Sequence, residues 1–384
     1  MKRRLFSGLT AVLLLIACAS AQTRDPQELQ KSRSQWVGEK GKKRFYTKQF
    51  SLEGLHHYKP DQKVSGVIHE WGSNYFMDSP LGKAWEAEFR RYQPDATFEY
   101  NLKSSELGIP GLYTHVADIA PMGRQILWDE LLAYQREFDR PPTEITICTG
   151  SYNVGGWTYA LAVFVNQQNP INQLTLKQLD GIFGAARTGG WKGMEWDPSV
   201  ARGPEQNIRT WGQLGLTGQW ADEPIHVYGY TLKYHFPDEF SKKVFHGGTT
   251  WNEALKEYAN RNAPDGHLVV AGEDMLTDLS KDPYGIAYAG VPYQTPETKV
   301  LALAQTDSGP YVPLTLDTVH DRTYPLIRDI YFYLNREPDK PIEPKIKEFV
   351  RYVLSYEGQS ALMNDGKYLP LTPEMLQEQL KKLE

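Results

Sequence analysis

Three short segments carry the residue types that hold an oxyanion. Gly72-Ser73-Asn74, Lys103-Ser104-Ser105 and Gly123-Arg124 each follow an apolar stretch and lead toward a helix-like one. A turn at a helix start presents unpaired backbone N–H groups at the positive end of the helix dipole. Glycine lets backbone come close to a ligand, and serine adds a hydroxyl. Arg124 has the planar fork that pairs bidentately with an oxyanion; its competing role is an ordinary ion pair. Taken singly, each turn is equally an ordinary cap. Taken together, they are candidates to converge on one cleft.

Other chemistries find less support. His56 and His57 are adjacent, with His69 and Glu70 nearby. Neighbouring residues on a strand point to opposite faces, which is poor geometry for one metal ion. His226, His235, His246 and His267 show no H-E-x-x-H spacing, and neither a G-x-S-x-G elbow nor a G-x-x-x-x-G-K-[ST] loop is present. The carboxylates of "GEDMLTDLSKD" (272–282) do not fall in the order of a calcium loop. A hydrolase or metal enzyme is therefore a minor alternative, and neither metal nor cofactor is expected.

The elements that must position these turns alternate. "VSGVIHEWGS" reads as a strand ending in a Gly-Ser turn. Ser79 caps a following helix with Pro80 at its first position, and Leu81, Ala84, Trp85, Phe89 and Tyr92 recur at helical spacing. "TFEYNL" (97–102), "ADIA" and "EITICTG" read as strands, and residues 128–138 as a helix. "ALAVFVN" is a wholly apolar strand, the pattern of burial on both faces. After the connector "QQNPINQL", Thr175 and Gln178 form a capping box, and Gly184 ends the helix as a left-handed cap. Alternating elements argue for an α/β fold with mostly parallel sheets, whose ligands sit at the carboxyl ends of strands.

The chain of 384 residues is 40% hydrophobic and 23% charged, which suits two globular lobes. A formal charge of −5 gives no sign of a nucleic-acid partner. Lys2, Arg3 and Arg4 precede an apolar run at 9–17 that is too short to span a membrane, the pattern of an export signal. Two processing readings stand. Ala19-Ser20-Ala21 fits a cleavage site that releases a chain from Gln22. Leu15-Ile16-Ala17-Cys18 fits a lipobox with Cys18 lipidated. Either leaves Cys148 alone, without an intrachain disulfide, as a buried thiol in "ITICTG". Residues 22–63 are polar and read as a solvated extension.

The block "LAVFVNQQNPINQLTLKQLDGIFG" resembles the hinge-crossing region of the phosphate-binding solute receptors of ABC transporters, which are type 2 periplasmic binding proteins. Trp211, Leu214 and Gly215 continue the resemblance. So do "EWGSNYF" (70–76), "LKSSELGIPGL" (102–112), "VADIAPMGR" (116–124), "YGIAYAG" (284–290) and "FVRYVLSYEGQSALMNDGKYLPL" (349–371). Together they span roughly residues 64–372. The resemblance implies two lobes joined by two crossings: 64–161 with 286–384, and 162–285. It implies a monomeric exported protein, at the periplasm or cell surface, that binds a small phosphate-like anion between the lobes and delivers it to an ABC permease. A surface receptor or adaptor with an organic ligand, or none, is the alternative. Where the family carries an Arg and a Ser-Gly-Thr turn in lobe two, "GYTLKYHFPDEF" stands here, leaving Thr231, Lys233, Tyr230 and His235 as local candidates. The family's proton-accepting Asp falls at Gly123.

Overall fold

The computed structural model describes residues 31, 44–155 and 157–384; the export signal, Cys18 and most of the polar extension lie outside them. The strands of the two main sheets are β1 (Gly66–Gly72), β2 (Ala96–Leu102), β3 (Ile119–Met122), β4 (Thr143–Thr149), β5 (Ala162–Asn166), β6 (His226–Tyr230), β7 (Lys256–Tyr258), β8 (Gly285–Ala289), β9 (Thr298–Val300) and β10 (Asp329–Leu334). The first sheet runs β2-β1-β3-β10-β4 and the second β7-β6-β8-β5-β9.

Parallel pairing joins β1 to β2 and β3, and β6 to β7 and β8. The remaining pairings are antiparallel: β10 with β3 and β4, and β5 with β8 and β9. In each sheet the reversed strand is one the chain reaches by crossing from the other sheet. It therefore arrives from the opposite direction, and neither sheet is as uniformly parallel as the alternation suggests. All five residues of β5 are buried: Ala162–Val165 are apolar, and the amide of Asn166 is satisfied by Leu279 O (3.2 Å) and Ser280 O (2.9 Å). The expectation that 286–384 belongs with the first sheet fails for β8 and β9. Both pair within the second sheet, because the apolar run Ile286–Ala289 lies directly against β5.

The two crossings, 150–161 and 301–328, are tied to each other. Gly150 N donates to Arg328 O (2.7 Å), Leu161 N to Leu326 O (2.9 Å), and the buried Tyr324 hydroxyl to Leu161 O (3.0 Å).

Helices cover the sheets: α1 (Tyr75–Asp78), α2 (Leu81–Tyr92), α3 (Gly108–Tyr113), α4 (Trp128–Phe138), α5 (Leu176–Phe183) and α6 (His235–Val244) are those used below. The capping box of α5 forms as read: Gln178 N donates to Thr175 Oγ1 (3.1 Å) and Thr175 N to Gln178 Oε1 (2.9 Å). Gly184 is extended rather than left-handed, with φ −95°. Glycine is needed there for space, since a Cβ would stand 2.6 Å from Asp180 Oδ1. Residues 44–63 are not a solvated tether. Tyr46, Leu52, Leu55 and Tyr58 are buried in the core, and the Tyr58 hydroxyl donates to Glu348 (2.6 Å). Four apolar or aromatic side chains in this otherwise polar segment are enough to bind it to the first lobe.

Candidate functional site

Because β1, β2 and β3 are parallel, their carboxyl ends open on one edge of the first sheet. The three expected turns meet there. Ser73 N donates to Pro121 O (2.7 Å), which ties the first turn to the end of β3. Gly123 N donates to Ser105 Oγ (3.1 Å), which ties the third to the second. Gly72 is held so close to β3 that a Cβ would lie 2.1 Å from Pro121 O, at a φ of +155° that favours glycine. Gly123 has the ring of Tyr75 against it, 2.7 Å from where a Cβ would be.

The side chains of the turns have local work. Ser73 is buried, and its hydroxyl accepts from Tyr75 N (3.3 Å). Asn74 stands before α1 and its amide donates to Asp78. Ser104 accepts from Glu106 N (3.4 Å), and Lys103 is exposed. Arg124 is buried and paired bidentately with Glu130 of α4, at 2.6 and 2.8 Å. Burial works against its charge, but the Glu130 carboxylate more than offsets this and holds the Arg124 pKa above the usual guanidinium value. Arg124 is thus held by a carboxylate of its own lobe.

Of the residues expected in the second lobe, Tyr230 reaches the first crossing, and Thr231 and Lys233 do not reach the turns. Thr231 N donates to Tyr258 O (2.8 Å) and Lys233 is exposed; among the described residues no hydrogen bond or ion pair joins either to the three turns. His235 begins α6 with its ring 4.2 Å from that of Phe236. Tyr230 is buried, stacked on Phe236 at 4.4 Å, with its hydroxyl 3.2 Å from that of Tyr159. Burial drives the Tyr230 pKa far up, so the phenol stays neutral.

Arg328, the last residue of the second crossing, is buried and paired with Glu239 of α6. Arg328 Nη2 lies 3.0 Å from Glu239 Oε1, Nε donates to Oε2, and the guanidinium rests 4.8 Å from the Phe236 ring centre. Burial alone would lower the Arg328 pKa, yet Glu239 holds it above the usual value. Nearby Lys243 is shifted down by burial, opposed by Asp329 and Glu239.

Sequence reasoning missed Arg328, Glu239 and Tyr159. Arg328 and Glu239 stand 89 residues apart, and nothing in either local pattern points to the other. Chemically, the arrangement has backbone donors and hydroxyls beside buried, carboxylate-paired guanidinium groups and packed aromatic rings. Those are means of holding a ligand by hydrogen bonds and charge. Among the described residues no three of His, Cys, Asp and Glu gather as a metal ligand set.

Residues 76–357 match the family described as the PBP superfamily domain. The chain belongs to the PBP superfamily. It is 30% identical over 334 residues to the phosphate-binding protein PstS of Pseudomonas aeruginosa, covering 86% of this chain and 90% of the relative. Protein SphX of Synechococcus elongatus is 24% identical over 297 residues, 76% of this chain and 74% of that one. The crystal structure of PstS from Borrelia burgdorferi aligns with a TM-score of 0.48 and 18% identity, covering 81% of this chain and 100% of that one. As a superfamily member this chain is a solute-binding protein and not an enzyme. Its two sheets with flanking helices are the two-lobe fold that the resemblance implied.

Proposed function

We propose that this PBP-superfamily protein is an exported receptor that takes a small oxyanion into the cleft between its sheets and hands it to an ABC permease. The observation that carries this reading is the joining of three strand-end turns into one surface, through Ser73 N to Pro121 O and Gly123 N to Ser105 Oγ. In this reading the turn amides and hydroxyls of Gly72, Ser73, Asn74, Ser104, Ser105 and Gly123 hold the anion. Arg124, fixed by Glu130, supplies positive potential, while Thr231 and Lys233 close from the second lobe. The lobes divide at the two crossings, as 64–149 with 329–384 against 162–300. Export follows from the basic-then-apolar amino terminus, with release after Ala21 or lipidation at Cys18 as the anchoring choice, and the receptor works as a monomer. The PstS relatives, phosphate-binding by name, make phosphate the first anion to try.

The test is thermal unfolding of residues 22–384 with phosphate, sulfate and molybdate. A ligand that binds only the folded state at 100 times its Kd adds about 2.7 kcal/mol. The expected result is a raised midpoint with at least one anion, abolished in Ser73→Ala/Ser105→Ala. No shift with any of the three, or a shift that survives the double variant, removes this reading.

A further inference from the structure

Three exposed tryptophans gather at one place on the lobe boundary. Trp128 opens α4 of the first lobe. Trp191 and Trp196 face each other across the two-stranded ribbon Gly190–Lys192 and Glu195–Asp197 of the second. The ring centres of Trp128 and Trp191 are 5.4 Å apart, and those of Trp191 and Trp196 are 5.1 Å apart. No other tryptophan among the described residues is exposed. Leaving three indoles in water forgoes the burial that drives folding, and a cluster of exposed aromatics marks a surface with work to do.

The cluster borders a cavity of about 800 Å³ between the lobes, within the size range of small-molecule sites. Its walls are held in place. Trp191 N donates to Gly247 O (2.9 Å), and a Cβ on Gly247 would stand 2.0 Å from Trp191 O. A Cβ on Gly189 would stand 2.7 Å from the Trp196 ring. Lys242 Nζ crosses the lobe boundary to Ile126 O (2.8 Å). The aromatic surface is thus fixed in position before any ligand arrives.

The charges show what kind of ligand fits. Glu144, Asp197 and Asp238 line the cavity with Lys192, Lys242 and His246, so neither sign dominates. The carboxylates are already engaged. Glu144 accepts from the Tyr333 hydroxyl (2.6 Å), Asp197 from Ser199 N (2.8 Å), and Asp238 pairs with Lys242 (2.8 Å). A net cation or anion gains little here. A neutral ring with many hydroxyls gains on two counts. Its C–H face packs on indole, and each hydroxyl both donates and accepts among mixed polar groups.

We propose that the cavity walled by Trp128 and Trp191 is a saccharide-binding site, separate from the anion-binding turns. It does not rest on the anion reading, because none of the three turns lines it. The test is titration of the exported chain with maltose, cellobiose and diacetylchitobiose at millimolar concentration, followed by tryptophan fluorescence and calorimetry. At least one sugar should bind saturably. Trp128→Ala and Trp191→Ala should each weaken it about tenfold while the circular dichroism spectrum of the folded chain is retained. The melting shift given by inorganic phosphate should be the same in the Trp191→Ala variant. No saturable binding of any of the three sugars overturns the proposal. So does binding that survives Trp128→Ala/Trp191→Ala, or that inorganic phosphate competes away. Loss of capture by a membrane permease in Trp191→Ala, without sugar binding, would make the cluster a protein-docking surface and equally overturn it.

Discussion

Arg328, the last residue of the second crossing, and Glu239 of the second lobe form a buried ion pair, with Nη2 and Oε1 3.0 Å apart. The carboxylate sits where it neutralises the most deeply buried guanidinium of the cleft. Removing one member of such a pair leaves an uncompensated charge out of water, at a cost of about 3–5 kcal/mol. Glu239→Gln should therefore lose roughly that much stability in anion-free buffer. Added oxyanion should restore part of it by supplying the negative charge that Arg328 has lost. Denaturant melts with and without sulfate measure both effects; a variant as stable as the parent in anion-free buffer contradicts the role of the pair.

Gly72 and Gly123 make opposite demands on a substitution. At Gly72 a Cβ meets backbone, Pro121 O at 2.1 Å, so Gly72→Ala should separate β1 from β3 and cost roughly 3 kcal/mol or more. At Gly123 the Cβ meets side chains, the Tyr75 ring at 2.7 Å and Thr158 Oγ1 at 3.0 Å, rather than backbone. Gly123→Ala should cost only about 1–2 kcal/mol yet reduce any anion-dependent melting shift, because the third turn is displaced. Chemical denaturation of both, with the anion titration repeated on the second, separates these outcomes.

Glu70 gives stability a pH dependence of its own. Burial first, and then the Glu86 carboxylate, raise its pKa to about 8 against a partial lowering by Lys83, from an ordinary value of 4.5. Between those values the folded chain holds a proton that the unfolded chain has lost. Raising the pH through this window therefore weakens folding, by up to about 1.4 kcal/mol per pH unit. Glu70→Gln should flatten that slope and be the more stable protein at pH 8. Unfolding free energies of both proteins at pH 5, 6.5 and 8 check it; parallel slopes contradict it.

Cys148 should be silent toward thiol reagents. It is fully buried on β4, and burial, followed by Asp329 and Asp365, drives its pKa well above the ordinary thiol value. The thiolate is the reactive form, so native protein should show no reaction and denatured protein one reactive group per chain. Ellman titration across a denaturant series should follow the unfolding curve. Labelling that precedes unfolding would mean that β4 opens locally.

The parts of this molecule that are legible in the sequence are those written by local chemistry. The Thr175–Gln178 box, the apolar run Ala162–Val165 of β5 and the helical spacing of Leu81, Trp85 and Phe89 each express one short-range rule, and each forms as read. The convergence of the three turns follows from parallel pairing of β1 with β2 and β3, which alternation of elements predicts. What could not be read depends on residues that distant chain brings together. Arg124 sits six residues from Glu130 across a turn, outside any helical period, and so looked free to bind a ligand. Asp180 is buried on α5 because Arg187 and Arg202 arrive from a loop to pair with it, at 2.6 and 3.1 Å. The anchoring of the mostly exposed segment 44–63 rests on four buried side chains spaced too irregularly to show a period.

Strand β10 lies between β3 and β4, yet it is synthesised after every strand of the second sheet. A growing chain that has reached residue 300 already holds all five strands of the second sheet. At that point the first sheet is two pieces, β2-β1-β3 and β4, with a gap one strand wide. Its inner edges carry unpaired backbone groups until residues 329–334 emerge and fill the space. The edge formed by the ends of β1 and β3 therefore gains its final support from a strand near the end of the polypeptide. Truncation before residue 329 removes the first lobe's integrity while sparing every residue of the three turns.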